Sequence, residues 1–183
     1  DVIRKIHASF LEVGCRAVET NTFGANKIVL TEFDLMPQTY EINRKAAELA
    51  RDAARQYHTE QKPRFVVGSI GPGTKLPSLR HTTWDVLEDS YAEQVRGLLD
   101  GGVDVLLLET CQDILQIKAA LAGIERAMNE KNRRVPIMVQ VTMETTGTML
   151  VGTDMAAAMV ALEAYPQVVS LGLNCATGPQ EMS

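Results

Sequence analysis

Five short apolar runs recur along the chain, and a longer amphipathic segment precedes each of them. The clearest run covers residues 103–110, VDVLLLET, in which a single aspartate interrupts five apolar residues before a polar end. Strands of nearly continuous apolar character are typical of a parallel sheet, because helices cover such a sheet and bury it. The sequence therefore predicts an α/β fold in which helices alternate with parallel strands.

The boundaries of these elements follow from the spacing of the apolar residues. A helix is predicted where they recur every three or four positions, and a strand where they run together. The predicted helices span residues 2–13, 41–57, 84–100, 114–128 and 155–164, and the predicted strands span residues 16–20, 64–69, 103–110, 135–143 and 168–174.

Each predicted strand ends in polar or glycine-rich residues. In a (β/α)8 TIM barrel the catalytic residues come from the carboxyl ends of several strands, whereas an open doubly wound sheet gathers its ligand contacts at one switch point. Polar ends on every strand therefore favour the barrel. Because a barrel has eight strands, we interpret residues 1–183 as a partial barrel domain of about five βα units that lacks the first and last strands.

The composition argues against several classes of protein. The net charge is −5, and Lys and Arg do not form the basic surface of a nucleic-acid-binding protein. The small basic group at Lys131, Arg133 and Arg134 is predicted to be a solvated connection. We identify no signal peptide and no apolar run long enough to cross a bilayer. Three cysteines without a CxxC pair indicate reduced thiols in a cytoplasmic protein rather than a disulfide framework.

Cys175 follows an apolar strand and precedes the turn residues Gly178 and Pro179. A thiol at this position is a buried structural residue, a nucleophile or a metal ligand. A nucleophile requires a nearby base, and of the histidines only His81, in a long loop, could reach the mouth of the barrel, although nothing in the sequence positions it there. Zinc binds thiolate but takes three or four protein ligands, so a zinc site at Cys175 needs partners beyond Ser183. The residues alone leave these alternatives open.

Glu109 ends the most apolar strand. An ionised carboxylate in such a place is costly unless it is paired. We therefore predict that Glu109 either pairs with a neighbouring Lys or Arg or receives the ammonium group of a ligand. Asp113, four residues later, is predicted to cap the N-terminus of the next helix.

Two further stretches lie at strand ends. Residues 19–26, ETNTFGAN, carry several hydrogen-bonding side chains, some of which are predicted to act as caps and turn residues. Residues 68–73, GSIGPG, supply flexible backbone, but they lack the Lys-Ser or Lys-Thr of a phosphate-binding loop and do not form GxGxxG. Phosphate binding is therefore a weak interpretation of this loop.

Four motifs occur in a specific order along the chain: ETNTFGAN, GSIGP, GGVDVLLLET followed by Asp113, and GLNCATGP. Together they resemble the homocysteine S-methyltransferase family over the whole chain, and most closely its cobalamin-dependent members. The resemblance implies a (β/α)8 barrel in which three cysteines hold zinc. It makes Cys175 the first ligand and places the other two in an adjacent Cys pair beyond Ser183. Cys15 and Cys111 match no ligand position, and Cys111 is predicted to be structural.

The same resemblance implies roles for other residues. Glu109 is similar to the residue that contacts the amino group of homocysteine, and Asn174 directly precedes the metal ligand. Thr22, Asn26 and Ser69 are weaker matches at the mouth of the site. The implied reaction transfers a methyl group to the homocysteine thiol, which zinc activates. The implied cofactors also include methylcobalamin and methyltetrahydrofolate, bound by folate- and cobalamin-binding domains of the same polypeptide.

Three alternatives remain open from the sequence. In the first, the methyl donor differs: a cobalamin-independent, stand-alone enzyme uses betaine or S-methylmethionine, or the barrel is fused to a folate reductase. A missing cobalamin domain would indicate this alternative. The barrel is non-catalytic and has lost its zinc site, which a chain without thiols after Cys175 would indicate. The protein is an unrelated barrel lyase that uses Glu109 as a base, in which case activity survives the loss of Cys175.

Overall fold

Parallel strands in chain order form the centre of the fold. The structure is a computed structural model that describes residues 2–180 and 182. Strands that follow one another along the chain are neighbours in a five-stranded sheet, and all four pairings are parallel. The strands are β1 (Ala17–Glu19), β2 (Phe65–Ile70), β3 (Val105–Cys111), β4 (Ile137–Val141) and β5 (Val168–Leu173). The five predicted parallel strands are confirmed.

Helices connect these strands as the apolar spacing predicts, with ends that differ by a few residues. The helices are α1 (Val2–Glu12), α2 (Lys27–Thr31), α3 (Thr39–Tyr57), α4 (Trp84–Gly101), α5 (Ile114–Lys131) and α6 (Met155–Leu162). The short helix α2 was not predicted. Short 3-10 helices at Met36–Gln38 and Pro77–Leu79 lie in the connections that follow β1 and β2.

The strand order distinguishes the two architectures that the sequence allowed. In a doubly wound sheet the order reverses at a switch point, whereas here it follows the chain throughout. Right-handed crossovers between strands in that order place successive helices on the same face of the sheet. Helix α4 accordingly packs against both α3 and α5. This is the arrangement of a (β/α) barrel, present here as five of its strands.

Glycines in α4 allow it to lie close to α3. A Cβ atom on Gly97 would lie 2.4 Å from the carbonyl oxygen of Tyr40, and one on Gly101 would lie 2.5 Å from the Cβ of Ala47. Real Cβ atoms do not approach other atoms so closely, so the packing of the two helices requires glycine at both positions.

Short polar residues set the helix ends. Asp113 caps α5 as predicted, because its Oδ1 accepts a hydrogen bond from the backbone N–H of Leu115 at 2.9 Å. Asn26 caps α2 and Asp154 caps α6 in the same way. Asn132 ends α5 in the left-handed conformation, with φ of 47°, which asparagine tolerates better than most residues.

The prediction for the basic group after α5 was wrong at Arg133. Its guanidinium is half-buried and donates to the carbonyl oxygens of Leu99 and Val103, the latter at 2.5 Å. These carbonyls lie at the C-terminal end of α4 and just after it, and the Leu99 carbonyl oxygen also accepts from the backbone N–H of Gly102 at 3.1 Å. Arg133 therefore adds side-chain hydrogen bonds at the end of α4 instead of extending into solvent.

The core lies between the sheet and the helices. Its fully buried side chains include Leu106, Leu108, Ile117, Leu121 and Ile124, and Cys111 is buried among them, in agreement with a structural thiol. Exposed apolar side chains occur beside the two edge strands, on α1 and on β5. Among the residues that the structure describes, no helix has both the length and the apolar character needed to cross a membrane.

Candidate active site

A continuous chain of hydrogen bonds joins the carboxyl ends of β1, β2 and β3. The backbone N–H of Ser69 donates to Thr20 Oγ1 at 3.1 Å, and Thr22 Oγ1 donates to the carbonyl oxygen of Ser69 at 2.6 Å. Because the Thr22 hydroxyl is used in this way, the Thr20 hydroxyl donates to Thr22 Oγ1, at 2.6 Å. The Ser69 hydroxyl continues the chain to Glu109 Oε1, at 2.6 Å.

Glu109 is half-buried and is held by neutral donors. Ser69 donates to Oε1, and Asn174 Nδ2 donates to Oε2 at 3.4 Å. Within residues 2–180 and 182, no Lys or Arg forms an ion pair with this carboxylate. Since an ionised carboxylate has about four acceptor positions, Glu109 retains capacity for a cationic group of a ligand.

A second carboxylate, Glu19, lies at the end of β1, and the charge of Glu109 affects its pKa. Loss of hydration, and then the negative charge of Glu109, raise the pKa of Glu19 above its ordinary value. The carboxyl edge of β1–β3 is therefore negatively charged, and a positive group placed there would be stabilised.

Asn174 follows β5 and joins it to β3 and β4. Its Oδ1 accepts from the backbone N–H of Thr110 at 3.1 Å and lies 3.3 Å from the Thr142 hydroxyl, which also donates to the Asn174 carbonyl oxygen at 3.0 Å. Its Nδ2 donates to Thr110 Oγ1 at 2.9 Å and to Glu109 Oε2. Every polar atom of the amide therefore has a partner. Asn174 thus holds Thr110 and Glu109, which are 64 and 65 positions away in sequence, close to β5.

Cys175 comes next and is exposed. Its backbone has φ of 60°, a left-handed conformation that is uncommon for cysteine and recurs at functional sites. Its Sγ lies 3.6 Å from Thr110 Oγ1. Because Glu109 precedes Thr110 in sequence, the thiol lies close to the residue next to the Glu109 carboxylate. His81, the candidate base, is exposed in the loop after β2 and forms no hydrogen bond with Cys175 among the described residues.

Cys175 has the donor chemistry of a zinc ligand. A thiolate is a soft ligand that suits zinc, and an exposed sulfur at a strand end is open to a metal. In the part of the chain that the structure describes, no group of three or more His, Cys, Asp or Glu is placed to hold a metal ion. Cys175 therefore fits as a single ligand.

Asn26 and the loop after β2 pack next to the carboxyl ends of β1–β3, and their polar groups bond within the fold. Asn26 is buried, and its Oδ1 accepts from Val29 N at 3.0 Å as the cap of α2, so its amide is used within the fold. The Tyr91 hydroxyl donates to the carbonyl oxygen of Pro72 at 2.9 Å. A Cβ on Gly71 would lie 2.6 Å from the carbonyl oxygen of Phe23. Close packing therefore accounts for this glycine.

Sequence reasoning missed three threonines of the site, Thr20, Thr110 and Thr142. Thr20 and Thr142 lie at strand ends, and that position was the available signal for them. Thr110 shared that position, but adjacent residues of a regular strand point to opposite faces, and Glu109 was the one expected to face the site.

The fold and the candidate site together define a (β/α) barrel protein whose candidate functional groups lie at the carboxyl ends of its strands. Comparison with solved structures agrees with the fold. The homocysteine methyltransferase MmuM from Escherichia coli, in its metallated form, matches with a TM-score of 0.80 and 23% identity, over 98% of this chain and 64% of that one. Its oxidized form matches with a TM-score of 0.78 and 24% identity, over 95% and 62%.

The chain belongs to the homocysteine S-methyltransferase family, whose model matches residues 1–183. It is 48% identical over 183 residues to the methionine synthases of Mycobacterium tuberculosis (strain ATCC 25618 / H37Rv) and Mycobacterium leprae (strain TN). Each match covers 100% of this chain and 15% of the relative, so the chain spans a small part of the length of these enzymes. The predicted family is confirmed.

Proposed function

We propose that this chain is part of the homocysteine-binding barrel of a methionine synthase. In this proposal Glu109 receives the amino group of homocysteine, and Cys175 lies beside the homocysteine sulfur. The observation that carries the proposal is the half-buried Glu109 carboxylate, whose hydrogen-bond partners are neutral. Its neighbour in sequence, Thr110, contacts the Cys175 thiol. Homocysteine carries both an ammonium group and a thiol, which matches a carboxylate and a thiolate metal ligand at one edge.

The remaining residues hold this arrangement. Ser69 and Asn174 orient the two oxygens of Glu109 from opposite sides, and Thr22 positions Ser69 through its carbonyl oxygen. Asn26 acts one step further back, as the cap of α2. In this proposal Ser69, Thr22 and Asn174 therefore line or support the substrate site, whereas Asn26 supports its wall.

Cys175 would supply one thiolate to zinc, and an adjacent pair of cysteines beyond Ser183 would supply the other two. Zinc held by three protein ligands has an open position, and it stabilises a coordinated thiol in its deprotonated, nucleophilic form. The contribution of this chain is to hold Cys175 at the edge of the sheet and to orient homocysteine through Glu109.

The methyl donor and the other partners lie outside this chain in the proposal. The 48% identical relatives are methionine synthases of which this chain covers 15%, which leaves ample length for further domains. We propose that folate- and cobalamin-binding domains of the same polypeptide present methyltetrahydrofolate and methylcobalamin to the barrel, and that the protein acts in the cytoplasm.

Calorimetric titration of the full-length protein with homocysteine tests the role of Glu109. Glu109→Gln should weaken binding by at least about 2 kcal/mol, roughly 30-fold, because it removes the charge that faces the ammonium group. Glu60→Gln is the matched control, since it removes an exposed carboxylate in the loop before β2, at the amino end of the sheet, and it should leave the dissociation constant nearly unchanged. Equal affinities of the parent and Glu109→Gln would refute the assignment.

Elemental analysis of the same protein tests Cys175. About one zinc per chain is expected in the parent, and it should be lost in Cys175→Ser. Cys15→Ser is the control and should retain zinc, because Cys15 lies at the amino end of β1, on the opposite side of the sheet from the strand ends that carry Cys175. A full complement of zinc in Cys175→Ser would remove this residue from the metal site.

A further inference from the structure

Thr110 has a backbone conformation that is unfavourable for its residue type. Its φ is 59°, in the left-handed region, which a β-branched residue rarely adopts. The pairing of β3 with β4 shifts register between Leu108 and Cys111, which marks a β-bulge around Glu109 and Thr110. Because of the bulge, the side chains of Glu109 and Thr110 both reach Asn174, although neighbours on a regular strand would point to opposite faces.

The hydrogen bonds of Asn174 determine the direction of the Thr110 hydroxyl. The backbone N–H of Thr110 requires an acceptor, so the Asn174 atom that faces it is Oδ1 and the amide nitrogen faces Thr110 Oγ1. This nitrogen donates, and Thr110 Oγ1 therefore accepts. The hydroxyl hydrogen of Thr110 remains available, and the neighbouring acceptor is Cys175 Sγ at 3.6 Å.

We propose that Thr110 is a positioning residue for the Cys175 thiolate, to which its hydroxyl donates a hydrogen bond. The inference rests on the proposed function, in which Cys175 is a metal ligand. The donated hydrogen bond fixes the direction of the sulfur and stabilises its negative charge. The Asn174 amide donates both to Thr110 and to Glu109. One amide therefore sets the positions of the sulfur and the carboxylate relative to each other.

A purely structural role would not require threonine at this position. Glycine adopts a positive φ without steric conflict, and a bulge of this kind commonly contains it. The residue present instead is β-branched, half-buried and carries a hydroxyl that bridges an amide and a thiol. Backbone strain of this kind persists where the surrounding contacts require it.

Metal affinity of the full-length protein tests the inference, with cobalt(II) and zinc as probes and a chelator as competitor. Thr110→Val keeps the shape and branching of the side chain but removes the hydroxyl, and it should weaken metal binding by about 10- to 100-fold, as is typical for the loss of a hydrogen bond to a ligand. Thr110→Ser keeps the hydroxyl and should bind metal as the parent does.

The cobalt(II) protein adds a spectroscopic readout that a change in packing alone would not move. A thiolate that loses its hydrogen bond is a stronger electron donor, so its charge-transfer band should shift to longer wavelength in Thr110→Val and remain in place in Thr110→Ser. If Thr110→Val does not fold, Thr110→Gly, which suits the positive φ, replaces it with the same expectations.

The outcomes separate the two proposals. Equal affinity and an unshifted band in Thr110→Val, while Cys175→Ser loses the metal, would overturn the role of Thr110 and leave the proposed function intact. Equal losses in Thr110→Val and Thr110→Ser would also overturn it, since the hydroxyl would then not matter. A parent protein without metal, or metal retained in Cys175→Ser, would overturn both proposals.

Discussion

Replacing Asn174 with aspartate changes one NH2 group into an oxygen and keeps the shape of the side chain. In the structure that NH2 group donates to Glu109 Oε2 at 3.4 Å and to Thr110 Oγ1 at 2.9 Å. In Asn174→Asp an oxygen of the new carboxylate would face Glu109 Oε2 at the 3.4 Å that now separates Nδ2 from it. The variant should therefore be less stable than the parent near pH 8, although it keeps the same number of non-hydrogen atoms.

The size of the effect follows from the distance. Two unit charges about 4 Å apart repel by about 4 kcal/mol at an effective dielectric constant of about 20. Because both residues are half-buried, solvent and salt screen the pair, and we expect a loss of about 2 kcal/mol in the free energy of unfolding. Protonation of either carboxylate removes the repulsion. The folded variant thus retains a proton that the unfolded chain releases, and its stability falls as the pH rises.

Urea unfolding followed by circular dichroism at about pH 4 and about pH 8 measures this difference, since the deficit vanishes only near the ordinary carboxyl pKa of about 4, where the unfolded chain also holds the proton. The deficit of Asn174→Asp relative to the parent should be large at the higher pH and small at the lower one. Adding Glu109→Gln in a double-mutant cycle should restore most of the lost stability. A deficit that is independent of pH, or one that survives Glu109→Gln, would refute the geometry described for this pair.

Three further predictions concern the rest of the fold. Gly97→Ala should lower the free energy of unfolding by about 1–3 kcal/mol despite its better helix propensity, because its Cβ would meet Tyr40 O; urea unfolding at or above the parent stability would contradict this. A thiol reagent at about pH 8 should modify Cys175 readily and spare buried Cys111, whose pKa burial raises, until the chain unfolds; mass spectrometry of the labelled peptides distinguishes them. Burial lowers the pKa of His7, so stability should fall as the pH drops through about 6.5, and His7→Gln should flatten this dependence in urea unfolding.

The sheet could be predicted from sequence because its central strands β2, β3 and β4 are largely buried. Residues 103–110 show this most clearly, since four of the seven residues of β3 are buried. The aspartate in that run is also explained by the structure. Asp104 Oδ2 accepts from the backbone N–H of Val66 at 2.7 Å and pairs with Arg51 at 2.6 Å. These partners come from other elements, so the sequence pattern alone could not reveal them.

The candidate site was less predictable because its contacts are long-range. Glu109 and Cys175 stood out as polar residues at the ends of apolar strands, and the resemblance to a family gave them roles. Thr110 was missed because only the bulge in β3 turns it toward Asn174. Arg133 was misjudged for a similar reason, since its acceptors at the end of α4 are about 30 residues away in sequence.

The two halves of the site differ in how the fold holds them. Glu109 lies on β3, which has a paired strand on each side, and the hydrogen-bond chain through Ser69 ties it to β1 and β2. Cys175 follows β5, which among the described residues pairs only with β4 and has exposed positions along its length. Asn174 and Thr142 are therefore the contacts that bring the thiol to the carboxylate. Because Glu109 is fixed by the interior of the sheet and Cys175 by an edge strand, a change at the β4–β5 pairing should displace the thiol while leaving the carboxylate in place.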